Sequence, residues 1–410
     1  MAQTQVEIFP SGLTLAVEEQ PWNPGVALQL LLPVGVTTDP EGLEGAASLI
    51  EGWLWKGAGV RDARAFAEVL DDLGVRRGSG SGLEYTTFAA QFLQDKLEAV
   101  LELYADLLLR PQLPGEGLEA VRQVALQELA SIEDQPSKKM FTALRREVFS
   151  SNHGRSAAGT KQGLEKASAE VLGQDFANRF TASGAIVALV GGISLPAARE
   201  ATLKAFAAWG GQAAASPAVR LNPPHPVHIE QDTSQTQIGL IYPDISFGHP
   251  EFYSARLAAQ VLSGGMGSRL FSEVREKRGL VYSVYASPGG VKGYSYLSAY
   301  AGTMPGRADE TLRVLQGEIE RLAQGVSLEE LKRAKIGLRT ALVMGEESAR
   351  SRVASITRDL YLLGRVRTLE EIEAGIAAVD LERINRYLSA NPYHNPWIAT
   401  LGPVEVASVG

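Results

Sequence analysis

No cysteine occurs anywhere in the 410 residues, so disulfide staples, thiolate metal sites and cysteine nucleophiles are all excluded. Histidine is scarce too: His153, His225, His228, His249 and His394 are scattered along the chain. None sits in an H-x-x-E-H or H-E-x-x-H arrangement, and the nearest pair, His225 and His228, flanks Pro226 in a proline-rich stretch. Positive charge is in deficit, with 39 basic against 47 acidic side chains for a net −8. That balance argues against a nucleic-acid or anionic-membrane surface as the main partner. No uninterrupted apolar run is long enough to cross a bilayer. The opening Met1-Ala2-Gln3-Thr4-Gln5-Val6-Glu7 has no basic segment followed by an apolar one, so no secretory signal is visible. The expectation is a protein of the reducing cytoplasm with neither a nucleic-acid nor a membrane partner.

What is present is ordinary globular composition, 45% apolar and 21% charged, at a length that calls for two or more domains. The clearest break runs from Gly210-Gly211-Gln212-Ala213-Ala214-Ala215-Ser216-Pro217 to Asn222-Pro223-Pro224-His225-Pro226. Small residues followed by prolines forbid helix and central strand there. The reading is a domain over 1–210, a linker over 211–226 and a second domain over 227–410. The halves look like copies of one another. Val26–Pro33 pairs with Thr236–Pro243 as an opening apolar run, and Leu43–Trp55 with Glu251–Leu262 as a helix. Thr86–Phe92 then pairs with Tyr294–Ala301 as a strand. Asp95–Leu109 matches Arg307–Gln324 as a long helix, and Ala185–Gly191 matches Trp397–Gly402 as a later strand. Strands and helices lack the strict alternation of a doubly wound sheet, so the fold class is α+β, with two homologous α/β-sandwich-like domains in tandem.

Three segments carry the candidate chemistry. In Gly45-Ala46-Ala47-Ser48-Leu49-Ile50-Glu51-Gly52-Trp53-Leu54-Trp55-Lys56-Gly57, positions 48, 51 and 52 share one helix face. Ser48 is a poor zinc ligand and Gly52 has no side chain. Glycine inside a helix costs about 1 kcal/mol relative to alanine, which suggests that something else uses the space. The second segment, Arg76-Arg77-Gly78-Ser79-Gly80-Ser81-Gly82-Leu83-Glu84-Tyr85-Thr86, is a glycine-rich turn beside a strand. The third runs from Gly264-Gly265-Met266-Gly267 through a helix over Ser268–Lys277, capped by Gly279, into a strand over Val281–Ala286. Its glycines lack the spacing of a phosphate-binding loop.

Together these strings resemble the pitrilysin (inverzincin) zinc-peptidase family. The first matches G-x-A-H-F-L-E-H-M-L-F-K-G with Ser48 and Gly52 where that family has its two zinc histidines and Glu51 where it has its general base. The family's spacing to a third ligand lands on Glu128, while a companion glutamate on the same helix is replaced by Val121. Glu51 and Glu128 alone are a poor site for zinc, which takes nitrogen or sulfur donors beside oxygen; no metal or other cofactor is expected in this chain. Arg275-Glu276-Lys277-Arg278-Gly279-Leu280-Val281-Tyr282 resembles the family's second active-site element. The longer string around it is similar to the alpha subunit of mitochondrial processing peptidase and its bacterial relatives.

The resemblance implies a half-clamshell that pairs with a related chain bearing an intact H-x-x-E-H zinc site. This chain would be the non-catalytic subunit of a heterodimeric zinc endopeptidase, contributing Arg275 and Tyr282 in trans. Gly80, Ser81, Gly82 and Glu84 would border an edge against which a peptide or unfolded polypeptide adds as a strand. Two rival readings stand beside it: a structural pseudo-peptidase subunit with no proteolytic role, and a self-sufficient hydrolase using Glu51 and Glu128 with a harder metal.

Overall fold

The computed structural model describes residues 3–213, 215–346 and 348–406; Ala214 of the linker and the extreme ends of both domain ranges lie outside the described residues. The chain forms two compact units. One comprises Met1–Ser131, Arg155–Ala218 and Gly345–Thr368, and the other Ile132–Gly154, Val219–Met344 and Leu369–Gly410.

The first unit is built on strands β1 (Thr4–Ile8), β2 (Thr14–Glu19) and β3 (Gly25–Leu32), and a two-residue hairpin of β4 (Gly57–Ala58) and β5 (Arg61–Asp62). It continues with β6 (Arg76–Ser81), β7 (Thr86–Leu93) and β8 (Ile186–Gly191). Six of these form one sheet in the order β1-β2-β8-β3-β7-β6. Only β2 and β8 run parallel. The second unit has β9 (Pro226–Glu230), β10 (Thr236–Asp244), β11 (Val281–Val291), β12 (Tyr294–Thr303) and β13 (Trp397–Gly402), in the order β11-β12-β10-β13-β9. Only β13 and β9 run parallel there. Read inward from β6 and from β11, both sheets show three antiparallel pairings and then one parallel pairing. The repeated apolar runs of the sequence are therefore equivalent strands: β3 with β10, β7 with β12, β8 with β13. The fold is α+β, a duplicated unit in tandem.

Burial explains the residue choice. Every residue of β8 is buried, as its unbroken Ile-Val-Ala-Leu-Val run requires of a strand covered on both faces. One face carries the helices Ala46–Leu54, Ala63–Asp72, Leu97–Leu109 and Leu195–Phe206, packed around Trp53, Phe66 and Tyr104. On the other, Val353, Ile356, Leu360 and Tyr361 of the helix Ala349–Leu363 lie on Ala16, Ala27, Leu31, Ile186, Ala188 and Val190. Arg352 at the start of that helix forms a buried ion pair with Glu18 of β2 at 2.7 Å. The Gln29 amide donates to Thr357 Oγ1 at 2.8 Å.

The second sheet is completed in the same way by the helix Pro136–Val148, whose Met140, Leu144 and Val148 recur every four residues on one buried face. Met140 and Leu144 occupy the room left by Gly239 on β10. Phe141 meets Tyr300 with ring centroids 6.1 Å apart, and Arg145 donates to the Tyr296 hydroxyl at 3.1 Å. Each sheet thus draws one covering helix from the opposite half of the sequence. The division into 1–210, 211–226 and 227–410 follows the path of the chain, whereas the packing is discontinuous and changes unit between Ala218 and Val219 in the linker stretch. The reason is physical: an amphipathic helix settles where its apolar face is covered, regardless of sequence distance. No helix among the described residues is long and apolar enough to cross a membrane.

Candidate functional site

The helix that carries Ser48, Glu51 and Gly52 is held at its start by a buried carboxylate. Asp39 accepts from the backbone N–H groups of Gly45 at 2.8 Å and Ala47 at 3.0 Å, and pairs with Arg179 at 3.1 Å. Gly45 itself has φ +109, a conformation open to glycine. Leu49, Ile50, Trp53 and Leu54 are fully buried, which leaves positions 48, 51 and 52 to face an open pocket of about 460 Å³. Glu128, Val121, Val124 and Ala125 of the helix Gly115–Ser131 line its other side.

At Gly52 the sequence question is answered. A Cβ there would stand 2.8 Å from Val121 Cγ1, closer than packed carbons tolerate. The isopropyl group of Val121 fills the place of a side chain at 52. A zinc ion does not fit this donor set: Ser48 offers one hydroxyl, Gly52 nothing, and Val121 puts methyl groups beside the two carboxylates. Among the described residues no group of three or more His, Cys, Asp or Glu side chains is placed to hold a metal.

Glu51 sits apart from the exposed Glu128 in character. Burial pushes its carboxyl above the ordinary range, while side-chain hydrogen bonds from Ser79 and Trp55 pull it back down. The Trp55 indole N–H also donates to Ser79 Oγ at 2.8 Å, and the Arg77 guanidinium lies 4.6 Å over the Trp55 ring. The base position therefore survives inside a polar and aromatic frame made by Trp55, Arg77 and Ser79. Sequence reasoning did not single these three out, although Trp55 belongs to the matched string and Arg77 and Ser79 to the glycine-rich one.

That glycine-rich segment forms β6, which pairs with β7 alone and is the edge of its sheet. Gly78 and Gly80 have open space where a Cβ would be. Gly80 and Ser81 lie in the strand, and Gly82 and Glu84 in the turn that follows. The turn is anchored by Gly82 N–H to the Tyr85 carbonyl at 2.9 Å.

The second unit presents Tyr282 at the equivalent edge, on β11, and Arg275 in the helical turn just before that strand. The anticipated helix over Ser268–Lys277 is shorter and differently wound: residues 271–276, Phe271–Glu276, form a π-helix. Lys277 N–H bonds to the Ser272 carbonyl at 3.0 Å, five residues back. Gly279, at φ +56, ends it, as the cap assignment requires. The following strand runs to Val291 rather than Ala286. Its register slips between Val281, opposite Thr303, and Ser283, opposite Gly302, which makes Tyr282 the extra residue of a β-bulge. π-turns and bulges both recur where a side chain must be re-aimed. Arg275 lies 5.2 Å over the Phe271 ring, and Tyr282 is 59% exposed. Neither has a hydrogen bond or ion pair through its side chain among the described residues. Their cationic neighbours do: Glu273 pairs with Lys277 at 2.6 Å and Arg278 at 3.0 Å.

Two topologically equivalent α+β units, one with the skeleton of a metallopeptidase helix and one with an exposed Arg–Tyr pair, define a duplicated peptidase-like chain. The chain belongs to peptidase family M16, the pitrilysin family. Residues 14–161 match the family model "Insulinase (Peptidase family M16)" and residues 166–338 match "Peptidase M16 inactive domain". Similar proteins include the "Uncharacterized zinc protease YmxG" of Bacillus subtilis, 27% identical over 384 residues and 92% of each chain. An "Uncharacterized zinc protease" of Rickettsia bellii is 27% identical over 94% of this chain and 95% of its own. Among solved structures, a peptidase M16 inactive domain from Pseudomonas fluorescens superposes with a TM-score of 0.91 at 23% identity over 99% of both chains. A protease from Helicobacter pylori gives 0.89 at 17% identity over 98% of this chain and 99% of its own. The two structures establish the fold.

Proposed function

We propose that this chain is the non-catalytic subunit of a heterodimeric zinc metalloendopeptidase, working in the cytoplasm with a related partner that carries the H-x-x-E-H zinc site. One contrast supports the reading. The metal position of this chain is filled by Val121 against Gly52, yet Arg275 and Tyr282 stand exposed on a π-turn and a bulge, without a side-chain hydrogen bond or ion pair among the described residues. A purely structural subunit has no need of such a pair. The names of the relatives, zinc proteases, point to the same chemistry.

The roles follow from the side chains. Peptide cleavage develops negative charge on the carbonyl oxygen, and a positioned phenol such as Tyr282 donates a hydrogen bond to it. The planar fork of Arg275 orients the substrate backbone. The open edge of β6, with Gly80, Ser81, Gly82 and Glu84 beside it, offers main-chain hydrogen bonds to an extended peptide.

The test is peptidase activity on an unfolded peptide, with zinc, for this chain alone and mixed with the H-x-x-E-H chain of the same cell. Activity confined to the mixture and abolished by Tyr282→Phe is the expected result. Turnover by this chain alone would sink the proposal. A stable but silent mixture would favour the structural pseudo-peptidase role.

A further inference from the structure

Five residues, Lys277 to Val281, join the π-turn to the bulge, and the carbonyls of the middle three, Arg278, Gly279 and Leu280, are each taken by a side chain from one place. Arg307 donates from one terminal nitrogen to the Gly279 carbonyl at 2.8 Å and from the other to that of Arg278 at 3.1 Å. Thr303 Oγ1 donates to the Leu280 carbonyl at 2.6 Å. Thr303 is the last residue of β12, directly opposite Val281. It is fully buried and braced by Thr311, whose hydroxyl lies 3.0 Å away. Thr311 Oγ1 also lies 2.8 Å from the Arg307 carbonyl, so one buried hydroxyl touches both holders.

We propose that Arg307 and Thr303 are positioning residues that set the distance and orientation between Arg275 and Tyr282 by gripping three successive carbonyls of the segment that joins them. The proposal rests on the role given to that pair in the preceding subsection. The physical need is plain. A π-turn and a bulge both depart from the ordinary hydrogen-bond ladder. Gly279, between them, is the most freely rotating residue type. The backbone ties the amides of the joining segment back to the π-turn, Gly279 N–H to the Arg275 carbonyl at 3.0 Å and Leu280 N–H to the Val274 carbonyl at 3.1 Å, and the two side chains take the carbonyls. The carbonyl contacts of Arg307 and Thr303 add a second hold to these amide hydrogen bonds, on the stretch that separates the Arg275 fork from the Tyr282 hydroxyl. The Arg307 fork spans two successive carbonyls with fixed geometry, which a lysine, with its single point of charge, does not reproduce.

The test uses the full chain and two readouts. Hydrogen–deuterium exchange on the chain alone needs no partner. Arg307→Ala should raise exchange of the amides of 279–283 by roughly tenfold, while the β10 amides and the melting temperature stay near wild type. Arg307→Lys should fall between. Thr303→Val keeps the shape but loses the hydroxyl and should act like Arg307→Ala, whereas Thr303→Ser should be close to wild type. In the mixture with the H-x-x-E-H chain, the loosened variants should lose about 10–100-fold in kcat with little change in KM, since small misplacements of a reacting group cost on that order. Unchanged exchange in both Arg307→Ala and Thr303→Val would overturn the proposal, as would raised exchange with kcat intact. A wild-type mixture without activity refutes the heterodimer reading instead, and exchange then decides the clamp alone.

Discussion

The contact between Gly52 and Val121 can be weighed by a double-mutant cycle. Alanine at position 52 gains about 1 kcal/mol of helix propensity over glycine. It also brings a Cβ to 2.8 Å from Val121 Cγ1 and 3.4 Å from Cγ2. Valine is stiff at χ1 and cannot swing its methyls aside freely, so the crowding costs about 1–3 kcal/mol. Gly52→Ala should then be destabilising by roughly 0–2 kcal/mol in the native background. With Val121→Ala already present the clash is gone, and the same substitution should stabilise by about 1 kcal/mol. The sign reverses, and the coupling is roughly 1–3 kcal/mol, well outside the few tenths by which independent sites depart from additivity. Urea unfolding followed by tryptophan fluorescence is the assay, since Trp53 and Trp55 sit beside the site. Variants should be compared at equal m, because a chain of two units need not unfold in one step. Additivity within about 0.5 kcal/mol would refute the claim that Val121 occupies the vacated ligand position.

Two further outcomes follow from named groups. Burial raises the Glu51 carboxyl above its ordinary 4.5, so the folded state holds the proton more tightly than the unfolded one. Its contribution to stability is complete below pH 4.5 and is lost as pH rises through the raised value. Glu51→Gln should therefore stabilise the chain at neutral pH and lose that advantage in acid; thermal melts across the range would show it, and a gain confined to acid would contradict it. Arg352 and Glu18 are both buried, and their side chains meet at 2.7 Å. Arg352→Ala strands the carboxylate and should cost about 3–5 kcal/mol, far more than replacing both partners by apolar side chains. Calorimetric melting of the single and double variants separates the two cases.

Much of this was legible in the residues. The paired apolar runs identified β3 with β10 and β8 with β13, because a strand covered on both faces must be apolar throughout. Gly52 announced an occupied space, and Val121, already out of place for a ligand helix, proved to be the occupant. The exchange of the helices Pro136–Val148 and Ala349–Leu363 was not legible. Amphipathic spacing shows that Met140 and Leu144, or Val353 and Ile356, need cover, but says nothing of which sheet supplies it. The π-turn at Arg275 and the bulge at Tyr282 were hidden for a related reason. Both are shifts of hydrogen-bond register, and the side chains that bond to the segment between them, Thr303 and Arg307, lie some twenty to thirty positions away with a spacing that carries no signal.

The borrowed helices also bear on how the protein is made. The first sheet receives its last strand with β8 at Ile186–Gly191, yet its second face stays bare until Ala349–Leu363 has left the ribosome. That is roughly 170 residues later, or about 10–35 s at ordinary rates of synthesis. The helix Pro136–Val148, made early, waits longer still for β13 near the end of the chain. Neither half is complete while the other is missing. A nascent chain of this protein must therefore carry apolar surface from both sheets in the open until translation is almost finished.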